Sequence, residues 1–493
     1  ATFRADGSSV FAPGHQWGYF PSVSGAWVLS SEEFMKDITW LDELKFRAAI
    51  GKAGNNNLDP DMWRYLYSSN STGGPGFGEV TVDGELWYGP SSYLPNPDLK
   101  WETTLTRNFA FDLSFFNGRL RITPEYYWNT TSDLIYKADI LSTTGYTQQY
   151  QNIGQVTNRG FELSVNGDIL RGKDYVLSAN FNIGANKMKV DKLTGDFDYL
   201  YDTHNRSKDG GYNYRLEVGG EVGLIYGFVY DGLYGFDEFD YVASSGTGTY
   251  VPKVDENGKQ IPVDMNNIFE GSPSGDPTLP GKPKFKDLNG DGVIDDNDRT
   301  VIGRTTPKFQ GGFGLSGQWK SFDFTANFTY FLDFDVYNAT AYYLSSSIKN
   351  DDNFYNVLNK YTDRWTYVEG SECIYGNENF ADFKQLYIDK NANTHNWNPA
   401  DLNKDVTMSY FVEDGSFLRC TDITLGYTLP QNIIKKAGMS KLRFYASVTN
   451  PFIITNYSGY DPEVDVQSGL TPSFDMNRYP RSRSYVFGLN VTF

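Results

Sequence analysis

The sequence predicts an all-β chain, a transmembrane antiparallel β-barrel wall of about twelve strands with long extracellular loops. Three observations predict it: one hairpin with Phe at nearly every apolar position, connections that alternate between long and short, and many aromatics combined with low mean hydropathy. The hairpin is Lys308 to Phe331. On its incoming strand Phe313, Leu315, Gly317 and Trp319 alternate with Gly312, Gly314, Ser316 and Gln318. On the return Phe322, Phe324, Ala326, Phe328 and Tyr330 alternate with Asp323, Thr325, Asn327 and Thr329. With Lys320 and Ser321 as the turn, Trp319 faces Phe322 and both apolar sets fall on one face. A soluble sandwich also alternates. A face of Phe over this span, once tilted, matches the roughly 25 Å apolar band of an outer membrane.

The bulk numbers agree. Aromatics make up 16% of 493 residues, while mean hydropathy is −0.49, as expected when every second strand residue faces a wet lumen and polar loops are attached. No run approaches the 18 or so apolar residues of a membrane helix. A net charge of −18 argues against nucleic acid, whose phosphates it would repel, and makes divalent cations the more natural partners. Cys373 and Cys420 form no disulfide framework and lack metal-ligand spacing. Ala1 to Phe11 begins in mid-pattern, without the basic segment and apolar core of a secretion signal, so the chain is expected to be part of something longer.

In chain order, Tyr19, Pro21, Val23, Gly25, Trp27 and Leu29 share one face, and Leu44, Phe46, Ala48 and Ile50 share the next. The pattern lapses from Gly51 to Leu99 and resumes at Phe109, Phe111, Leu113 and Phe115. Asn117-Gly118 supplies the two positive-φ positions of a type I′ turn. Leu120, Ile122, Pro124, Tyr126 and Trp128 return, with Pro124 expected at a bulge. Phe161 to Ile169 and Tyr175 to Ile183 form the next pair. An insertion from Asn186 to Thr306 is too long for an ordinary loop. The opening hairpin follows it, and then a second excursion, Asn338 to Glu413. Strands at Ile423 to Leu429, Leu442 to Val448 and Tyr485 to Phe493 complete about twelve. Long and short connections in strict alternation set the polarity, with short turns periplasmic and long loops outside.

Within the insertion, Asp287, Asn289, Asp291, the Val293 carbonyl and Asp298 occupy positions 1, 3, 5, 7 and 12 of a calcium loop, with Gly292 at position 6. That spacing predicts Ca²⁺, with Mg²⁺ the alternative; Asp298 in place of the usual bidentate Glu points to weaker binding or altered geometry. The other reading is a solvated acidic loop. Gly312, Gly314 and Gly317 match G-x-G-x-x-G by letter, but they lie inside an alternating strand where a dinucleotide needs a strand-to-helix turn. His15, His204 and His395 are scattered, no catalytic set is marked out, and no enzyme is expected. Trp63, Tyr65, Trp87, Tyr88, Tyr226 and Tyr230 suit stacking on sugars or peptide side chains, or packing of the loops against each other.

Several stretches resemble the SusC/RagA family of TonB-dependent outer-membrane transporters. Leu44 to Asn55 (LKFRAAIGKAGN) resembles its LKLRASYGxTGN strand, departing at Lys52 and Ala53, and Asn96 to Glu102 resembles its NPxLKWE stretch. Asn158 to Glu162, Tyr230 to Tyr234, the Asp287 loop, Gly459 to Glu463 and the ending YVFGLNVTF are similar to further blocks. The resemblance implies the last twelve strands of a 22-stranded barrel, without the signal, TonB box, plug and first strands. It further implies a SusD-like surface lipoprotein as lid. The expected function is import of oligosaccharides or peptides across the outer membrane of a Bacteroidetes-like bacterium; the competing expectation is a self-contained twelve-stranded porin or surface adhesin. The two differ at the sheet edges, since a porin of twelve strands must pair its first strand with its last.

Overall fold

A computed structural model describes residues 1–69, 88–193, 198–202, 213–244, 247–265, 268, 278–346, 356–366, 368–369, 372–373, 388–402, 406–464 and 469–493. Its main body is one sheet of twelve strands in chain order, each antiparallel to the next. They are β1 (Thr2–Gly7), β2 (Trp17–Val28), β3 (Leu41–Asn55), β4 (Glu102–Phe115), β5 (Leu120–Ser132) and β6 (Gln155–Arg171). β7 (Tyr175–Lys192), β8 (Phe309–Trp319), β9 (Phe322–Leu332), β10 (Phe417–Thr428), β11 (Lys441–Thr455) and β12 (Ser484–Thr492) follow.

The β8–β9 hairpin has the expected register, with Trp319 opposite Phe322, Gly317 opposite Phe324 and Phe313 opposite Phe328. Lys320 takes the positive φ of the turn, at 53°. The face continues across the sheet. Phe324 pairs with Leu425 of β10, which pairs with Ala446 of β11, which pairs with Phe487 of β12. These side chains lie open: Leu425 is 56% and Phe487 81% exposed. So broad a contiguous apolar surface is a liability in water and a requirement in hydrocarbon.

Four sequence expectations need correction. β6 begins at Gln155, before the expected Phe161, and β7 runs to Lys192, so the Asn186 to Thr306 insertion starts with wall strand. Above the membrane band the apolar side chains move to the inner face, where Val156, Met188 and Val190 pack with Leu216 and Val222, and the outward apolar period that marks the strand disappears. Pro124 sits at no bulge. Its register with β6 is unbroken, whereas on the β4 side the ladder passes from Ala110–Glu125 to Leu113–Ile122 with Phe111 and Asp112 unpaired; proline has no N–H to donate there. At the next turn Asn117 and Gly118 have positive φ as expected, but so does Phe116, and the last pair is Phe115–Leu120. Alternation of loop length is strict only after β3, because the link 8–16 is no longer than the link 29–40, which holds two short 3₁₀ turns.

The two sheet edges agree with the expected larger wall. β1 and β12 are the two outer strands of the sheet and do not pair with each other, so these twelve strands do not close on themselves as the porin alternative requires. An unpaired edge cannot stand in hydrocarbon, where no water satisfies its N–H and C=O groups. The wall needs further strands on both sides.

Candidate functional site: the inner face of the wall and its loop cap

The inner face carries the polar half of each alternating strand. Arg47 on β3 forks onto Asp112 on β4 at 2.9 and 3.0 Å, with Lys45 at 3.5 Å from the same carboxylate. Thr424 bonds Ser447 at 2.8 Å, Asn327 donates to Asp422 at 3.0 Å, and Arg443 donates to Asp323 at 3.0 Å. These ties run across strands and stiffen the wall from within. Between them lies a recess of about 590 Å³ lined by Glu162, Asn180, Asn182, Gln310, Asn327 and Thr421, among others. Gly314 keeps it open, since a Cβ there would stand 2.6 Å from Asn327 Oδ1 and 2.7 Å from Asn180 Nδ2. Gly312 and Gly314 of the dinucleotide-like string thus make room in a lumen, whereas Gly317 lies on the outer face, where a Cβ would stand 2.2 Å from the Phe324 ring. Uncharged amides that both donate and accept suit hydroxyl-rich or peptide-like solutes.

The long connections fold over this face and have a core of their own. Phe228, Phe285, Tyr337, Tyr342, Trp397, Phe411 and Phe474 belong to one buried cluster drawn from all three of the last long connections. Tyr214 Oη donates to the Pro472 carbonyl at 2.6 Å, Trp397 Nε1 donates to the Ser345 carbonyl at 3.0 Å, and Tyr337 pairs in parallel with Phe474. Lys282 and Asp401, each 2% exposed, form an ion pair at 2.7 Å between the two largest connections. Arg419, at the upper end of β10, reaches Asp461 at 2.5 Å, and Arg481 binds Asp461 and Glu463 at 3.3 and 2.8 Å. The last loop is thereby pinned to the wall. A second cluster, Phe11, Leu58, Met62 and Leu99 with Trp101, joins the first connections.

Of the aromatics proposed for ligand stacking, Tyr226 is buried and Tyr230 packs edge-on against Trp397 and Tyr410, with ring centroids 5.8 and 5.0 Å away. Burial pushes the Tyr230 hydroxyl well above its ordinary pKa. Both hold the loops together. Tyr65 stays exposed and Trp63 partly so, while Trp87 and the Tyr88 side chain lie outside the described residues. Cys420 is buried and unpaired, and the Cys373 side chain lies outside the described residues.

The Asp287 loop is turned by its own side chains. Asp287 accepts from the amides of Gly290 and Gly292 at 2.6 and 2.8 Å, Asn289 from Asp291 at 2.8 Å, and Asp291 from Val293 at 2.8 Å. Asp298, fully buried, folds back to accept from Leu288 at 2.8 Å and Asp295 at 2.9 Å. Gly292 has φ +94°, the sharp turn that position 6 requires. Asp264 ties down the neighbouring backbone by bonding the Gly292 carbonyl and the Ile294 amide, bypassing the Val293 carbonyl. Desolvation raises the Asp287 carboxyl, but the Gly292 and Gly290 amides and the Lys259 ammonium outweigh it and hold the group below the usual carboxylate range. Among the described residues, no three His, Cys, Asp or Glu side chains converge closely enough to hold a metal by themselves. A cation here would lean on the Asn289 and Val293 oxygens as much as on carboxylates, a donor set of the hard kind that calcium takes.

Three comparisons bear on this architecture. The family described as "TonB dependent receptor-like, beta-barrel" matches residues 1–211. TonB-dependent receptor P3 of Formosa agariphila is 30% identical over 502 residues, covering 100% of this chain and 43% of that protein. TonB-dependent receptor SusC of Bacteroides thetaiotaomicron is 30% identical over 499 residues, covering 100% of this chain and 42% of that protein. The chain therefore spans less than half the length of these curated relatives. The structure of the RagAB peptide transporter shares the fold with a TM-score of 0.72 at 22% identity, covering 100% of this chain and 45% of that one. With an apolar outer face, a polar inner face and sorted loops, this chain carries the TonB-dependent receptor-like β-barrel domain that the family model matches over residues 1–211 and that these relatives share along its whole length.

Proposed function

We propose that the protein to which this wall belongs imports oligosaccharides or peptides across the outer membrane, driven through TonB, with a SusD-like surface lipoprotein seated on the loop cap. The observation that carries this is the pairing of a polar, amide-lined inner face with a long-loop layer that has its own buried core. A bare pore needs no such layer. A structured, aromatic and acidic cap suits a polar interface that holds a partner and a captured solute together. The names of SusC and of the RagAB peptide importer support the same reading. Affinity purification of the native complex from outer membranes is expected to bring down a surface lipoprotein, and deletion of that lipoprotein to abolish growth on scarce oligomer. Passive conductance of the intact protein in planar bilayers, with no lipoprotein recovered, would contradict the proposal.

The same proposal includes one Ca²⁺ held by Asp287, Asn289, Asp291, the Val293 carbonyl and Asp298 at about 2.3 to 2.6 Å, with Mg²⁺ the weaker alternative. Clustered carboxylates repel one another without a cation, so chelation is expected to speed proteolysis of the segment around 287–298. Calcium should restore protection at a lower concentration than magnesium. Cleavage that is unchanged in chelator counts against the site.

A further inference from the structure

The sheet register places basic residues where the apolar outer band ends. Ile50, Arg107, Trp128, Arg159 and Lys187 form one row across β3 to β7, each paired with the next. The row directly below is Ala48, Phe109, Tyr126, Phe161 and Ala185, part of the exposed apolar face. The row above adds Lys52 and Lys189. Paired residues share a face, so all five cations stand on the outer side of the wall, at the loop end. Phe115 to Arg107 is about the nine to eleven residues that a tilted strand needs to cross hydrocarbon. The cations therefore begin where the headgroups begin.

Their surroundings set them apart in a chain of net charge −18. Arg107 and Arg159 lie over the Trp128 ring, at 4.8 and 4.5 Å from its centroid, which orders both guanidinium groups without consuming their charge. Among the described residues Arg107, Arg159, Lys52 and Lys189 have no carboxylate at ion-pair distance. Lys187 pairs with Glu221, and Asp191 is occupied by Gln155 and Thr157. Beside Arg159 a recess of about 290 Å³ is also lined by Lys187, Arg304, Lys308 and Glu221. Arg304 and Lys308 reach Glu221 and Asp333 at 3.4 to 3.7 Å, so the recess keeps a surplus of positive charge.

We propose that this row is a docking surface for lipids with phosphate-bearing headgroups in the leaflet on the loop side. Arg forks match phosphate oxygens in pairs, and the acyl chains would continue down the Phe109, Tyr126 and Phe161 face. Trp128 sits at the level where an indole lies best, between hydrocarbon and headgroup. The site faces lipid and is independent of what the lumen carries.

The test uses the full-length protein in nanodiscs that mix phosphatidylglycerol with phosphatidylcholine, reading the relative affinity of spin-labelled forms of each lipid for the protein surface. Wild type is expected to select the anionic lipid. The Arg107→Gln/Arg159→Gln variant is expected to lose about fivefold of that selection per cation removed, while Arg107→Lys/Arg159→Lys keeps most of it. Lys435→Gln/Lys436→Gln, in the short connection at the opposite end, is expected to behave as wild type. Heat-modifiable migration on gels verifies that each variant is folded. Equal selection by wild type and the Gln pair overturns the proposal, as does loss of selection in millimolar inorganic phosphate at constant ionic strength, which would mark a site for the free ion.

Discussion

Replacing Asp401 by Ala is expected to destabilise the loop cap by about 3 to 5 kcal/mol, because it removes the carboxylate 2.7 Å from a lysine that is itself only 2% exposed. The two residues are 119 apart in sequence and belong to different excursions from the wall, so the loss should appear as local opening. Amide exchange is expected to accelerate in 278–302 and 388–402 together, with the β8–β9 hairpin unchanged. The double change Lys282→Met/Asp401→Leu is expected to recover most of the protection, since a packed apolar pair replaces a buried ion pair at little cost. Acceleration confined to one loop would mean that the pair does not join them.

Arginine at Leu425 or Phe324 is expected to cost about 2 to 4 kcal/mol of barrel stability if those positions lie near the midplane of the hydrocarbon. The two residues pair across β9 and β10 and are open to the outside, where a guanidinium finds neither water nor a counter-charge. Arginine at Thr325 should cost far less. That residue pairs with Ser316 and Thr424 and shares the wet face with Asp323 and Asn327. Urea titration of the folded protein in lipid vesicles measures the difference, and equal losses at Thr325 and Leu425 would mean that the faces are reversed.

The sequence was informative where one face of a strand meets hydrocarbon. There the apolar period is forced, and the β8–β9 register could be read residue by residue from Phe313 to Tyr330. It was silent where that force ends. The upper ends of β6 and β7 turn their apolar side chains inward, Val156, Met188 and Val190 packing with Leu216 and Val222, so Gln155 to Arg159 and Asn186 to Lys192 lack the outward apolar period. The cap was illegible for another reason. Its contacts, such as Lys282 with Asp401 or Tyr214 with Pro472, join residues a hundred or more positions apart, and nothing local marks them. Tyr226 and Tyr230 invited a ligand-binding reading because composition cannot distinguish an aromatic that packs from one that waits for a solute. The Asp287 loop was the exception in its backbone course, since its turns are local and are made by its own Asp and Asn side chains.

The basic row shows the same division. Arg107, Trp128 and Arg159 are unremarkable one by one in the sequence, and only the pairing of β4 with β5 and β6 lines them up. Their height above Phe109 and Phe161 follows from counting residues along a strand whose lower end is fixed by a tight turn.

The measurement that bears most directly on the central claim is a structure of the whole protein in a lipid bilayer, read at the two edges of this sheet. The account predicts that β1 and β12 each pair with a strand from outside residues 1–493, that Phe324, Leu425 and Phe487 face acyl chains, and that Asn180 and Asn327 face the lumen. Direct pairing of Thr2–Gly7 with Ser484–Thr492, closing the wall at twelve strands, would contradict it.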